Sequence, residues 1–305
     1  METRPGITVI GSSNTDMVIM TSHFPAPGET ILGGDFLMNA GGKGANQAVA
    51  AARCGGKVSF IGKIGDDIFG RSALENIRNE GIDTSGLVTD AEAASGVAQI
   101  IVNSEGENSI VVAPGANLKL NRDDIDNAYA KFGLGEIILM QLEIPVDTIL
   151  YTAKKASALG KKVILNPAPA TTLPDDLYKC LYLITPNETE TEQLTGVKVS
   201  NIQSAEKAAK IFTDKGVENV IITLGEKGAY VYSAALNEIV PSYQVKAVDT
   251  TAAGDCFNGV LAVGLANGKD LLESVRFANR AASLAVTRAG AQVSLPTRKE
   301  VEASL

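Results

Sequence analysis

A turn rich in small residues, toward the carboxyl end of the sequence, carries the clearest chemical signal. Residues 249–255 read Asp-Thr-Thr-Ala-Ala-Gly-Asp and lead toward an apolar helical stretch at residues 260–265. Small side chains let backbone N–H groups approach an anion closely, and the positive end of a following helix adds to the attraction. The pattern therefore predicts a phosphate-binding turn at Ala252, Ala253 and Gly254.

Asp255 directly follows this turn, where a carboxylate would repel a phosphate unless it has a task of its own. Accepting the proton of a hydroxyl that attacks the phosphate is such a task. The alternative is that Asp255 only caps the amino end of the helix. In the context of the whole heptad we interpret Asp255 as the general base of a phosphoryl transfer to an alcohol.

A second group of residues suits a substrate with several hydroxyl groups. Each hydroxyl of a polyol both donates and accepts a hydrogen bond, so its site needs a mixture of donors and acceptors. Taken singly, these residues would be ordinary turn or loop residues, and it is their joint occurrence that indicates a site. They are Asn14, Asp16, Gly42, Lys43, Asn46 and Glu143.

Two motifs lie near the ends of predicted strands. Asn187 and Glu190 come shortly after an apolar run, and a carboxylate there suits an outer-sphere role toward Mg²⁺ and phosphate. Their spacing is also that of a helix capping box, which is the alternative. Thr223, Gly225 and Gly228 belong to a glycine-flanked turn after another apolar run, where nucleotides bind in open α/β sheets; the alternative is a plain β-turn.

These segments together resemble the signatures of a known family. Residues 249–255 resemble the carboxyl-terminal signature of the PfkB, or ribokinase-like, carbohydrate kinases, and residues 41–48, Gly-Gly-Lys-Gly-Ala-Asn-Gln-Ala, resemble the amino-terminal one. Residues 187–190 match the family's Asn-x-x-Glu motif. Segments 11–16, 141–145 and 166–170 look like the ribose-phosphorylating members, and the resemblance covers essentially the full chain.

The resemblance implies an activity and the residues that perform it. The expected reaction is ATP-dependent phosphorylation of D-ribose at its 5-hydroxyl, with Asp255 as the base and, together with the six polyol-binding residues, a contact of the sugar. Mg²⁺ is expected near Asn187 and Glu190, through water. The residues expected to contact ATP are Asn187, Thr223, Gly225, Gly228, Ala252, Ala253, Gly254 and Asn279.

A monovalent cation site is also implied by the resemblance, with K⁺ as an activator. In the family such a cation is surrounded mainly by backbone carbonyl groups. The matching positions in this sequence are Asp249, Thr251, Ala285, Arg288, Gly290 and Ser294.

Positioning these residues requires a scaffold whose strand ends meet. Apolar runs rich in β-branched residues alternate with amphipathic stretches, which predicts a parallel sheet covered by helices on both faces. We expect a doubly wound α/β fold, with residues 1–305 in a single domain. The predicted strands are 7–10, 58–61, 137–141, 163–166 and 220–224, and the helices between them include 44–52, 69–80 and 146–159.

Four predicted strands do not fit this winding. Residues 96–102 and 109–113 read as a hairpin, and residues 17–20 and 30–38 as a second pair around a Pro-Ala-Pro-Gly turn. We expect them to form a small β-sheet, inserted at about 14–40 and 96–113, that covers one end of the core as a lid. In the family paired lids make a dimer, so a homodimer through the lid sheets is implied.

Composition and motif spacing argue against other classes of protein. The formal charge of −8, without a basic block, argues against nucleic acid as a partner. A single histidine, His23, leaves little for Ser-His-Asp or Cys-His catalysis. The Gly-Lys pairs lack the phosphate-loop spacing, and Gly-Ser-Ser-Asn at 11–14 is not a dinucleotide fingerprint. Three widely spaced cysteines support neither a disulfide framework nor a zinc site.

The location expected from the sequence is the cytoplasm. The apolar runs are far shorter than the ~18 to 20 residues that span a bilayer, and residues 1–10 do not look like a secretory signal.

Two functional alternatives stay open: a kinase for another small sugar or a nucleoside, such as fructose or adenosine, and a sugar-binding sensor without turnover. The intact Gly254, Asp255, Asn187 and Glu190 speak against the sensor.

Overall fold

Within residues 6–304, the range that the computed structural model describes, thirteen β-strands form two sheets. Residues 1–5, part of the segment judged unlike a secretory signal, lie outside this range. In chain order the strands are β1 (Gly6–Ile10), β2 (Asn14–Met20), β3 (Phe36–Gly41), β4 (Lys57–Gly65), β5 (Asp83–Asp90), β6 (Gly96–Val102), β7 (Asn108–Ala113), β8 (Ile137–Met140), β9 (Lys162–Leu165), β10 (Leu183–Ile184), β11 (Asn219–Thr223), β12 (Ala229–Tyr232) and β13 (Asn237–Val240).

Ten α-helices lie within the same range, and the last three follow the final strand. No helix of residues 6–304 is both long and apolar enough to cross a bilayer. The helices are α1 (Lys43–Arg53), α2 (Ile68–Asn79), α3 (Arg122–Phe132), α4 (Val146–Ala158), α5 (Asp175–Tyr178), α6 (Glu188–Thr195), α7 (Ile202–Asp214), α8 (Ala253–Ala266), α9 (Leu271–Ala285) and α10 (Arg298–Ala303).

The large sheet has nine strands in the order β13-β12-β11-β10-β9-β8-β1-β4-β5. Its strands are parallel from β11 to β5, and β12 and β13 add an antiparallel edge. Each strand predicted for the core coincides with one of these strands to within a few residues. The predicted doubly wound, mainly parallel sheet is confirmed.

The two faces of the large sheet have separate apolar cores, as alternation along a buried strand requires. In β8, Ile137 and Leu139 pack into the core beneath α1, α8 and α9, whereas Ile138 and Met140 pack into the core beneath α3, α4 and α7. The helix α1, which carries much of the predicted sugar site, is thereby held against α8, which follows the predicted phosphate turn.

The remaining four strands form a separate sheet, the lid, in the order β3-β2-β6-β7. Both predicted pairs are antiparallel, and a parallel pairing of β2 with β6 joins them into one sheet. The boundaries of the second pair were wrong: the strands predicted at 17–20 and 30–38 are β2 at Asn14–Met20 and β3 at Phe36–Gly41. The paired register of β3 with β2 begins at Phe36, opposite Ile19, and residues 21–35 form the connection between the two strands.

The parallel strands β1, β8, β9, β10 and β11 all end at one edge of the large sheet. In open α/β sheets, ligands bind in the crevice outside these carboxyl ends. The segments that follow the strands are 11–14, 141–144, 166–170, 185–190 and 223–228, which contain most of the predicted site.

Candidate active site

The predicted phosphate turn leads into the amino end of α8. Its residue Ala252 has φ 59°, the one positive φ of a non-glycine residue within 6–304. A left-handed conformation is unfavourable for an L-residue with a side chain, and such strain concentrates at functional sites. The amide of Ala253 donates to the carbonyl of Thr250 at 3.2 Å. Gly254 lies in the first turn, where the helix itself offers its N–H group no acceptor.

The Asp255 carboxylate is buried and bonds to α1. Its Oδ2 accepts from Asn46 Nδ2 at 3.0 Å and its Oδ1 from Gln47 Nε2 at 2.9 Å. Within the described chain, no side chain makes a capping hydrogen bond at the amino end of α8. The interpretation of Asp255 as a helix cap is therefore wrong. Burial raises the pKa of Asp255, against the opposing effects of Lys43, Asn46 and Gln47.

Asn14 and Asp16 lie two residues apart on β2, and their side chains therefore share one face of the lid. Asn14 pairs with Gly41 across the sheet, and Asp16 pairs with Asn39. A Cβ on Gly41 would lie 2.3 Å from the Asp16 carboxylate oxygens, so only glycine allows the carboxylate to lie there. Gly42, at φ 88°, turns the chain directly into α1.

Glu143 follows β8 and contacts the beginning of α1. Its Oε2 accepts a hydrogen bond from the backbone amide of Lys43 at 3.0 Å and another from the Ser12 hydroxyl. A carboxylate at this place also interacts favourably with the positive end of the helix. The contact joins three predicted site segments, at the ends of β1 and β8 and at the start of α1.

The charges of the site are strongly coupled. Burial, followed by the charges of Glu143 and Asp255, raises the pKa of Asp16 to about 6. Burial by itself lowers the pKa of Lys43, but the net effect is a raised pKa, and the ammonium group stays charged. The carboxylates that raise it are, in decreasing order, Asp255, Glu143, Glu190 and Asp16.

A cavity of about 500 Å³ lies on the other side of the phosphate turn, a volume usual for small-ligand sites. Gly254 lines it, whereas the adjacent Asp255 faces α1, so the turn stands between the cavity and the predicted sugar residues. Of the eight residues predicted to contact ATP, Ala252 is the one outside the lining. The other seven line the cavity: Asn187, Thr223, Gly225, Gly228, Ala253, Gly254 and Asn279.

Residues 4–298 match the profile of the pfkB family carbohydrate kinases. The chain belongs to this family. A ribokinase from Haemophilus influenzae is 47% identical over 97% of each chain, and a deoxyribokinase from Salmonella typhi is 40% identical over 95% of each. The structure of an Arabidopsis thaliana ribokinase, complexed with ribose and ATP, superposes with a TM-score of 0.90 at 33% identity, over 99% of this chain and 98% of that one.

The kinase uses Asn187 and Glu190 as a capping box for α6. The Asn187 side chain accepts from the Glu190 amide at 2.7 Å, and Glu190 Oε2 accepts from the Asn187 amide at 2.9 Å. The capping alternative is thus confirmed as a structural role. Burial raises the pKa of Glu190, and the charges of Lys43 and Asp255 also act on it, so the same carboxylate belongs to the electrostatics of the site.

Hydrogen bonds link three of the six residues predicted to surround a monovalent cation, and the Asp249 amide also donates to the carbonyl of Val286, next to Ala285, at 3.2 Å. Asp249 accepts from the amide and hydroxyl of Thr251 through Oδ1, and from the Gly290 amide at 2.8 Å through Oδ2. Among the described residues, no hydrogen bond connects Asp249 with the three other predicted positions. The Arg288 guanidinium pairs with Glu300 at 2.6 Å, the Ala285 carbonyl accepts from the Arg288 amide, and the Ser294 hydroxyl donates to the Ala291 carbonyl.

Two parts of the kinase site carried no recognisable sequence signal. Asn117, in the turn after β7, donates to Asn14 Oδ1 at 2.8 Å and accepts from the Ser13 amide at 2.9 Å, and so fixes the start of the lid. The segment 242–247 forms a wall of the cavity together with Phe257, Ala282 and Val286. Asn279 donates to the Val240 carbonyl at 3.0 Å and thereby holds the start of this wall.

Proposed function

We propose that this carbohydrate kinase transfers the γ-phosphate of ATP to the 5-hydroxyl of D-ribose. The observation that carries the proposal is the position of the phosphate turn, with Gly254 on the cavity and the Asp255 carboxylate toward α1. Phosphate and hydroxyl would meet at this turn. The ribokinase relatives, one of them solved with ribose and ATP, support ribose as the acceptor and the cavity as the nucleotide site.

In this mechanism Asp255 accepts the proton of the attacking hydroxyl. Both carboxylate oxygens receive N–H donors, which favour the charged, proton-accepting form. The Lys43 ammonium and the Gly254 amide would offset charge on the transferring phosphoryl group. Positioning and such electrostatic effects supply most of the rate in phosphoryl transfer. The lid would close over the sugar and keep water from acting as the acceptor.

The residues of the site suit the expected metal ions. Magnesium bound with ATP neutralises phosphate charge, and we propose that Asn187 and Glu190 hold it through water, since the cap uses one oxygen of the Glu190 carboxylate and leaves the other for a water molecule. For K⁺ we propose a site where the Asp249 carboxylate accepts hydrogen bonds from the amides of Thr251 and Gly290 and so holds their two segments together. Both Asp249 oxygens accept hydrogen bonds, so backbone carbonyl groups would supply most ligands of the cation. The remaining proposed positions are Ala285, Arg288 and Ser294.

We also propose that the kinase acts as one catalytic domain per chain and forms a homodimer through its lids. The edge strands β3 and β7 expose a group of apolar side chains, each 46 to 69% accessible, and such patches mark interaction sites. They are Phe36, Leu37, Met38, Ile110, Val111 and Val112. We place the kinase in the cytoplasm, where its three free thiols would stay reduced.

The acceptor is tested by a coupled assay of ATP turnover with ribose, deoxyribose, fructose and adenosine. We expect ribose to give the highest kcat/KM. A preference for deoxyribose would instead follow the deoxyribokinase relative, and a preference for fructose or adenosine would contradict the proposed substrate.

The general base is tested by Asp255→Asn. The amide is nearly isosteric but cannot take up the hydroxyl proton, so kcat should fall by about 10²- to 10⁴-fold, or ~3 to 5 kcal/mol. Ribose binding by calorimetry should stay close to wild type, and thermal melting should show a folded variant, whose melting temperature can differ because the new NH₂ group faces the N–H donor of Asn46 or Gln47. Asp175→Asn, which alters an exposed ion pair with Lys215, is the matched control. A kcat within threefold of wild type would show that Asp255 is not the base.

A further inference from the structure

Gln47 occupies a fully buried position between the proposed base and the core. The side-chain NH₂ group donates to Asp255 Oδ1 at 2.9 Å and to Asn166 Oδ1 at 3.0 Å. The side chain is 0% accessible and does not line the nucleotide cavity. Its contact with the reaction therefore runs through Asp255 and not through a substrate.

The orientation of the Gln47 amide is fixed by a third residue. Gln141, which directly follows β8, donates from Nε2 to Gln47 Oε1 at 2.6 Å. An amide NH₂ group can only donate, so the oxygen of Gln47 must face Gln141 and its NH₂ group must face Asp255. Both neighbours of that NH₂ group are oxygen acceptors, as this orientation requires.

The hydrogen bonds continue from Asn166 back to the phosphate turn. Asn166 donates to the Thr185 carbonyl at 3.1 Å, the Thr185 hydroxyl donates to Asn258 Oδ1 at 2.6 Å, and Asn258 donates to the Gly254 carbonyl at 2.8 Å. The chain of bonds thus begins at Asp255 and returns to its neighbour in sequence. It connects α1, the ends of β9 and β10, and α8.

We propose that Gln47 is a positioning residue for proton transfer: it holds the Asp255 carboxylate, within this ring of hydrogen bonds, in the orientation that accepts the hydroxyl proton. The inference rests on the proposed role of Asp255. Asn46 holds the second oxygen of the carboxylate from the adjacent position of the same helix. Two donors on one rigid helix fix the plane of the carboxylate, which a single donor does not.

Gln47 also contributes to the charge state of the base. Its N–H donor favours the carboxylate form and lowers the pKa of Asp255 against the larger effect of burial. Loss of this donor should raise the pKa further, so that a larger fraction of Asp255 is protonated at low pH. The other groups around Asp255 would remain: Lys43 on α1, Asp16 on β2, Glu143 after β8, Glu190 on α6 and the adjoining thiol of Cys256.

The test is Gln47→Leu, which keeps the side chain's approximate volume and removes its donor. A displacement of about 1 Å at a reacting group can cost about 10²-fold in rate, so we expect kcat to fall by that order. The KM values for ribose and ATP should stay within about twofold, because Gln47 contacts neither site. The acidic limb of the kcat profile should move to higher pH, which a loss of folding stability alone would not produce.

Asn219→Leu is the matched control. Asn219 is a buried amide at the start of β11, far from the carboxyl edge, and it donates to the Tyr182 carbonyl at 3.0 Å. This variant should melt at a lower temperature with unchanged kcat and pH profile. If Gln47→Leu kept a kcat within threefold, or lost kcat without a shift of the acidic limb, the positioning role would be refuted.

A milder variant covers the case in which Gln47→Leu does not fold. Gln141→Met removes the donor that orients Gln47, and it also removes Gln141 Oε1, a buried acceptor without a partner among the described residues. We expect kcat to fall about tenfold, with the same shift of the pH profile. Unchanged kinetics would refute the inference. Full activity of Asp255→Asn would instead refute the role of Asp255 as the base. Failure of the proposed base and failure of the positioning role of Gln47 therefore give different results.

Discussion

Asp16 should reduce the stability of the free kinase, and replacing it with asparagine should reveal by how much. Its carboxylate is largely buried beside Glu143 and Asp255, and these surroundings raise its pKa from 3.8 to about 6. At about 1.36 kcal/mol for each pH unit, this difference corresponds to about 3 kcal/mol. Asp16→Asn keeps the shape of the side chain and removes the buried charge.

The sign of the effect follows from proton binding. Asp16 binds its proton more tightly in the folded protein than in the unfolded chain. The contribution of Asp16 to the free energy of unfolding therefore falls as the pH rises from 4 to 6. The ionised Asp16 carboxylate destabilises the folded protein fully at pH 7, and this destabilisation is absent below about pH 4. Asp16→Asn should therefore stabilise the free protein by up to about 3 kcal/mol at pH 7 and by little at pH 4.

The same substitution should weaken ribose binding. A charged carboxylate offers acceptors to sugar hydroxyls at both oxygens, whereas the amide offers one acceptor and one donor group. An unpaired buried hydroxyl costs ~1 to 3 kcal/mol, or roughly five- to 150-fold in affinity. The variant should thus be more stable and bind its substrate less well, as expected for a residue kept for function at the expense of stability.

Urea unfolding of wild type and Asp16→Asn from pH 4 to pH 8, with ribose calorimetry at pH 7, would measure both effects. Asp175→Asn serves as the control, since this exposed carboxylate should change stability by no more than about 0.5 kcal/mol at either pH. A stability gain that did not grow with pH would refute the electrostatic reasoning. An unchanged ribose affinity would place Asp16 outside the sugar site.

Three further predictions concern the cation, the dimer and the lid. Turnover should fall when tetramethylammonium replaces K⁺ at equal ionic strength, and Asp249→Ala should abolish that difference; a wild type indifferent to the exchange would rule out the cation site. Val111→Glu should convert a dimer into a monomer in analytical ultracentrifugation, and a persistent dimer would contradict pairing through the lid. Gly96→Ala would place a Cβ 2.2 Å from Asn14 Oδ1, so the ribose KM should rise roughly tenfold while the ATP KM stays unchanged; an unaffected ribose KM would exclude Asn14 from the sugar site.

The sequence predicted those parts of the fold that depend on local pattern. Alternating apolar runs identified the strands of the parallel sheet, because burial on both faces leaves a continuous apolar signal. The antiparallel lid pairs were recognised because each consists of two strand-like runs joined by a turn, with no helix between them. The start of β3 was misplaced because the position of a strand end depends on its partner, and the register with β2 begins only at Phe36.

The parts of the site that escaped prediction depend on contacts between distant segments. Asn117 reaches Asn14 across 103 positions of the sequence, and Gln47 reaches Asp255 across 208. An asparagine in a turn or a glutamine on a helix has the same local pattern whether or not such a partner exists. Likewise carbonyl groups leave no trace in side-chain identity, so a cation site near Asp249 could be expected only by resemblance.

The proposed sugar-binding residues lie where the lid joins the core. Asn14 begins β2, and in the sheet it pairs with Gly41 at the end of β3 and with Gly96 at the start of β6. Asn117, just after the fourth lid strand, bonds to the same side chain. Every crossing between lid and core therefore converges on one residue of the proposed sugar site. A sugar bound there would contact all of these crossings at once, so the interactions that recognise it would also be those that set the position of the lid.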